Sequence, residues 1–365
     1  LSALRGITNG LNSIGFAFRS PASALPLGLS FYAFQVISYV ADVYRGKVKA
    51  ERSFFNLLLY LSMFPKMMQG PIVRYEQVAR QLMDRRTTPR AAFEGAQRFI
   101  IGLAKKVLLA DYAGKVVASL STGGGNGTFV GAWLAALMFM FQIYFDFSGY
   151  SDMAIGLGRI FGFRYCENFD LPYISTSITE FWRRWHMSLG SFFRDYVYIP
   201  LGGNRKGLKR QIFNLFVVEL LTGIWHGANW NFICWGLYYF VLLALEKLFL
   251  LPYLKKGRVW PHIYTLFLVV VGWAMFVGND AGVEFGLLFR KLFIPSGGVM
   301  PLYFLRNYGV LLAVSVVCCT PLIEKLWKLL SRNTITKALT ILVLLTVSMA
   351  YVVGSTNSPF LYFNF

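Results

Sequence analysis

Three histidines occur in the chain, His186, His226 and His262, and one of them stands where an imidazole is costly. His226 lies in TGIWHGANWNFICWG (222–236), within a run that carries no Asp, Glu, Lys or Arg from Leu220 to Leu245. An imidazole exchanges its proton near neutral pH, so it can take one from a hydroxyl or a thiol. Ionisable side chains at membrane depth usually line a watery path or a site, whereas the plainer alternative is a packed ring bonded to nearby backbone. His226 falls about 14 residues beyond a basic loop, roughly 20 Å at the helical rise and past the midplane of a bilayer. Glu219 is seven residues earlier and shares a helical face with it. It reads either as a group that orients or charges His226 or as an interfacial residue. Gly223 and Gly227 leave room for a substrate, Trp225 and Trp230 are candidate walls of its path, and Asn229 is a candidate donor to a developing oxyanion.

The second chemical stretch is TEFWRRWHMSLGSFFRDYVYIPLGGNRKG (179–207). Read as an interfacial segment, it is amphipathic, with arginines reaching out of apolar surroundings. Read as a site, it meets an anionic, phosphate-bearing donor arriving from the cytoplasm, with Arg183, Arg184, Arg194, Arg205 and Lys206 as candidate contacts. Glu180 and Arg184 have the i,i+4 spacing of a helical ion pair. The run GGNRKG lacks the spacing of a phosphate-binding P-loop. Neither a G-x-S-x-G nor an H-E-x-x-H pattern occurs, and no histidine begins an H-x-x-x-x-D pattern. Cys166, Cys234, Cys318 and Cys319 form no C-x-x-C pair and read as small core residues without a disulfide or metal framework.

The elements that must hold these residues are apolar. Of 365 residues, 56% are hydrophobic and 15% charged, against about 25% charged in an ordinary soluble chain. Uncharged blocks at Val116–Phe145, Leu220–Leu245, Ile263–Asn279, Asn307–Ile323 and Ala338–Phe365 approach the roughly 20 residues needed to cross a bilayer. The chain therefore reads as an all-α, polytopic integral membrane protein. Expected segments are Leu25–Tyr44, Phe54–Met68, Phe129–Phe145, the shorter Ser151–Phe163, Ile212–Trp225, Phe232–Leu250, Ile263–Val277, Leu311–Ile323 and Leu339–Gly354. The net charge of +19 sits in loops, at 74–106, 180–210 and 255–258, with Asp280 and Glu284 expected outside. That distribution sets orientation and meets anionic membrane lipid, and it gives no reason to invoke nucleic acid. No internal repeat divides the chain, so one membrane domain over 1–365 is expected. The start at Leu1 suggests that further N-terminal spans precede it.

At this level the sequence resembles a known family. FWRRWHMSLGSFFRDYVYIPLGGNRKG followed by LLTGIWHGANWNFICWGLYY is similar to the membrane-bound O-acyltransferase superfamily, in the branch of polysaccharide and peptidoglycan O-acetylation membrane subunits and the teichoic-acid D-alanylation subunit. LPLGLSFYAFQVISYVADVYRGK, QGPIVRYEQ and FQIYFDFSGYSDMAIGLGRIFGF also resemble that branch, and IPLGGNRKG favours its O-acetylation members. The resemblance implies a funnel-like ring of transmembrane helices with interfacial and re-entrant helices, multi-pass in the cell (inner or plasma) membrane. It implies His226 as the catalytic histidine and His186 as the second motif histidine. It implies a cytoplasmic thioester donor, acetyl-CoA or an acyl carrier, with no tightly bound cofactor, and an SGNH hydrolase-like partner on the outer side. The closing SPFLYFNF resembles an F-x-Y-x-x-F tail, which makes Tyr362 a candidate transient acyl carrier; the alternative is an interfacial aromatic anchor. The function expected is O-acetylation of an extracytoplasmic polysaccharide or cell-wall glycan. The rivals are D-alanyl transfer to teichoic acid, a proton-coupled transporter and a non-catalytic scaffold.

Overall fold

A computed structural model describes residues 28–122, 128–227, 229–276, 291–294 and 300–354. Their regular secondary structure is helical, with no strand among them. Gly28 opens helix α1 (Leu29–Tyr44) at φ +72°, and a Cβ there would lie 2.0 Å from the carbonyl oxygen of Met67, so only glycine fits. Helix α2 (Phe54–Ser62) begins on the Ser53 hydroxyl, which accepts from the Asn56 amide. The expected segment Phe54–Met68 is not one helix. It stops before Pro65, and a short turn at Phe64–Lys66 redirects the chain. Helices α3 (Tyr75–Met83) and α4 (Pro89–Ala104) follow; Thr88 caps α4 and Pro89 starts it. A wider helical turn at Lys105–Ala110 carries α4 straight into α5 (Asp111–Thr122).

Phe129–Phe145 and Ser151–Phe163, expected as separate segments, form one helix of 32 residues, α6 (Phe129–Ile160). The polar stretch between them stays helical because its side chains are matched by the neighbouring helix. Lys106 pairs with Asp146 at 2.7 Å, and Lys105 and Arg98 pair with Asp152 at 2.6 and 2.8 Å. Glycines bring the two backbones together. A Cβ on Gly95 would lie 2.6 Å from the Gly156 carbonyl oxygen, and one on Gly102 would lie 2.5 Å from that of Gly149. Lipid tails are as apolar as leucine, so helices in a membrane adhere through such close approach and polar pairing rather than by escaping solvent.

The site is built from the next elements: short helices α7 (Ile178–Arg184) and α8 (Met187–Phe193), a wide turn at Arg194–Tyr198, then α9 (Gly207–His226) and α10 (Trp230–Leu245), which passes through Glu246–Leu250 into α11 (Leu251–Leu254). Helix α12 (Trp260–Phe276) packs on α10 and α6. Helices α13 (Met300–Cys318) and α14 (Pro321–Leu330) meet at a bend, 87° as measured over Tyr303–Cys318 and Pro321–Leu330, and α15 (Thr334–Gly354) follows. Among the described residues three helices are long and apolar enough to cross a membrane, at Phe129–Ile160, Trp230–Leu254 and Thr334–Gly354, and the bent pair makes a fourth if counted as one span. The core between α6, α7, α10 and α12 is aromatic, with Phe145, Phe147, Phe181, Trp235, Tyr239, Trp273 and Phe276 fully enclosed.

Candidate active site

His226 is the last residue of α9, and α9 reaches it by crossing α10 closely. A Cβ on Gly223 would lie 2.6 Å from the Phe232 carbonyl oxygen, and one on Gly236 would lie 2.5 Å from that of Glu219. Gly223 therefore serves helix packing, not the approach of a substrate. Gly227 ends the helix at φ 154°, against the Phe232 ring. The His226 imidazole is half-buried among rings: Trp225 at 4.6 Å, Phe276 at 5.0 Å and Trp235 at 5.2 Å between centroids, the last two edge-on.

A cavity of about 750 Å³ runs beside this ring. Its wall includes His226, His186, Glu219, Thr222, Trp182, Trp235 and Trp273, and it extends to the exposed Arg183 and Arg194 and to Tyr198. The structure thus brings together four of the residues singled out by sequence, His226, His186, Arg183 and Arg194. Glu219 lines the same cavity and is 8% exposed, a buried neighbour of the site.

The other candidates lie elsewhere. Arg184 is outside the cavity wall. Its guanidinium pairs with Glu180 at 3.0 Å, as the spacing predicts, and with Asp170 at 2.9 Å, so it staples a turn. Trp225 stands behind the two histidines, packed edge-on to Phe31 at 5.9 Å and against Phe34 at 5.6 Å. Asn229 is exposed at the start of α10, where its carbonyl accepts from the Phe232 amide, and Trp230 beside it is 78% exposed. Arg205 and Lys206 are exposed and outside the cavity wall. Tyr362, with Asp280 and Glu284, lies outside the described residues.

Three supports were not legible. Glu246, fully enclosed at the end of α10, accepts from the amides of Ile178 (2.7 Å) and Thr179 (2.9 Å) and from the Thr179 hydroxyl, so its carboxylate caps α7 and aims Trp182 and Arg183. Asn168 Oδ1 lies 3.0 Å from His186 Nδ1 and accepts from the Ser188 hydroxyl. Arg74, Asp195, Tyr196 and Asp42 form one network: Arg74 pairs with Asp195 at 2.7 Å, the Tyr196 hydroxyl donates to Asp42 at 2.7 Å, and Arg74 and Arg45 lie over the Tyr196 ring at 5.2 and 5.3 Å. All three join segments distant in sequence. The only signal available was the presence of lone charged residues within aromatic runs.

Comparison with known proteins decides the family. The model for MBOAT, the membrane-bound O-acyltransferase family, matches residues 45–281. The chain belongs to this family. Among MBOAT relatives, the probable alginate O-acetylase AlgI of Pseudomonas fluorescens is 47% identical over 271 residues, covering 73% of this chain and 54% of its own length. The peptidoglycan O-acetyltransferase of Helicobacter pylori is 37% identical, covering 61% of this chain and 47% of its own length. The teichoic acid D-alanyltransferase of Bacillus subtilis is 29% identical, covering 61% of this chain and 59% of its own length. The chain spans about half the length of the curated relatives it matches. The MBOAT match contains both site histidines and every residue of the cavity wall.

Proposed function

We propose that this chain is the membrane subunit that moves an acetyl group from a cytoplasmic thioester across the bilayer for O-acetylation of an extracytoplasmic polysaccharide or cell-wall glycan. The observation that carries the reading is a single cavity with two histidines in its wall and exposed arginines at its edge. Arg183 and Arg194 contact the phosphates of acetyl-CoA, or of a carrier's prosthetic group, in water-accessible positions. The acceptor hydroxyl then gives its proton to an imidazole while its oxygen attacks the thioester carbonyl. The C–S bond breaks, and the thiolate leaves and takes up the proton. His226 is the base of this step. Tyr362 is the candidate first acceptor, passing the acetyl group as a tyrosyl ester to an SGNH hydrolase-like enzyme on the outer face. The protein works in the plasma (inner) membrane.

Relatives named for O-acetyl transfer at 47% and 37% identity favour acetyl over D-alanyl, whose named relative stands at 29%. Mass spectrometry of the extracellular glycans, with the protein present or deleted, tests the choice. Loss of O-acetyl esters on deletion is expected. Loss of alanyl esters with acetyl esters unchanged would replace this reading with the teichoic-acid one.

A further inference from the structure

His186 sits in an unusual backbone position. It starts α8 in the left-handed region, at φ 43°, where a residue with a Cβ is strained unless its surroundings hold it. What holds it is the segment around Asn168. The Met187 amide donates to the Asn168 carbonyl at 2.9 Å, and the Asp170 amide donates to the Arg184 carbonyl at 3.0 Å. The Asn168 side chain completes the clamp. Its Oδ1 accepts from the Ser188 hydroxyl at 2.8 Å and from the Ser188 backbone amide at 3.3 Å, and it lies 3.0 Å from His186 Nδ1. Its Nδ2 donates to Ser151 Oγ at 3.0 Å.

These bonds fix a proton. A backbone N–H can only donate, so the Asn168 atom facing Ser188 is the oxygen and not the nitrogen. An amide oxygen can only accept, so His186 Nδ1 must carry the hydrogen. In the neutral ring Nε2 is then a bare lone pair. It is buried and has no partner among the described residues. The ring around it offers none: Phe147 stands edge-on at 4.7 Å and Phe31 is stacked at 6.3 Å. A buried acceptor left open on a residue of the cavity wall is matched by a group that donates to it, such as a hydroxyl.

We propose that Asn168 is a positioning residue that holds the His186 proton on Nδ1, so that Nε2 receives the hydroxyl of the acyl acceptor. This rests on the acyl-transfer reading above. In the reaction the hydroxyl first docks by donating to His186 Nε2, then turns its proton to His226 as its oxygen forms the new ester bond, and the thiolate released when the C–S bond breaks takes up that proton.

Solid-state NMR of the full-length protein in lipid nanodiscs, with ¹⁵N-labelled histidine and the His186 signals identified by their loss in His186→Gln, reads the tautomer without any activity. The Nδ1–H form is expected in the wild type and in Asn168→Asp, with the Nε2–H form appearing in Asn168→Leu. Acetyl transfer is expected to fall about 100-fold in Asn168→Leu and to persist in Asn168→Asp. An Nε2–H ring in the wild type, or an unchanged tautomer in Asn168→Leu, overturns the proposal. A wild-type protein with the Nδ1–H ring and no transfer at all refutes the functional reading while leaving the positioning role intact.

Discussion

Two neighbouring arginines on one short helix have different jobs, and the difference is a matter of partners. Arg184 is tied to Glu180 and Asp170 and lies outside the cavity, while Arg183 is exposed at the cavity wall. Arg183→Ala should therefore raise KM for an acyl-CoA donor about tenfold at low salt, with less effect as salt screens the contact. Arg184→Ala should leave KM alone and lower stability by about 1 kcal/mol, since its ion pairs are partly exposed. Donor titrations at two ionic strengths, with a melting curve for each variant, check both. Sequence alone grouped these two residues, because a basic run displays charge but not partners. It singled out His226, His186, Arg183 and Arg194, which the fold places along one cavity. It misjudged Gly223, read as room for substrate, because a glycine in a helix does not say which neighbour needs the space.

At the scale of elements, a seven-residue helix such as α7 is too short to hold itself in place. Its first turn is anchored instead by the Glu246 carboxylate and the Ser177 hydroxyl, which accepts from the Glu180 amide. Glu246→Ala leaves the buried Ile178 amide and the neighbouring Thr179 amide without that acceptor, and should cost about 3 kcal/mol. A matching drop in melting temperature, with reduced transfer at saturating donor, is the expected outcome; wild-type behaviour in both would contradict it. Five helices were legible in the apolar segments: α1, α9, α10, α12 and α15 overlap expected ones. The 32-residue α6 was not, since its polar middle, FDFSGYSD, looks like a break until Lys106, Lys105 and Arg98 are seen to match Asp146 and Asp152. The break after α2 was equally hidden, although Pro65 marks it.

Across the whole molecule, the cavity is held between distant parts of the chain by the cluster of Arg74, Asp195, Tyr196 and Asp42. Partial burial of the Asp195 carboxyl raises its pKa, but the Arg194 and Arg74 guanidiniums outweigh burial and hold it below the usual carboxylate range. A lowered folded-state value stabilises the protein above the unfolded pKa of about 3.9, and that contribution is lost as pH falls through the folded value. Asp195→Asn, which does not titrate, should melt lower than the wild type at pH 7, with the gap narrowing below about pH 4; a constant gap across the range would contradict the pairing. No local pattern exposed this cluster, because its members are separated by up to 154 residues. The proposed transfer depends on His226 acting on a thioester in the shared cavity. The direct measurement is transfer of isotope-labelled acetyl from acetyl-CoA into glycan by membranes carrying wild-type or His226→Ala protein at equal inserted levels. A loss of at least about 100-fold is predicted; transfer within twofold of the wild type would contradict the account.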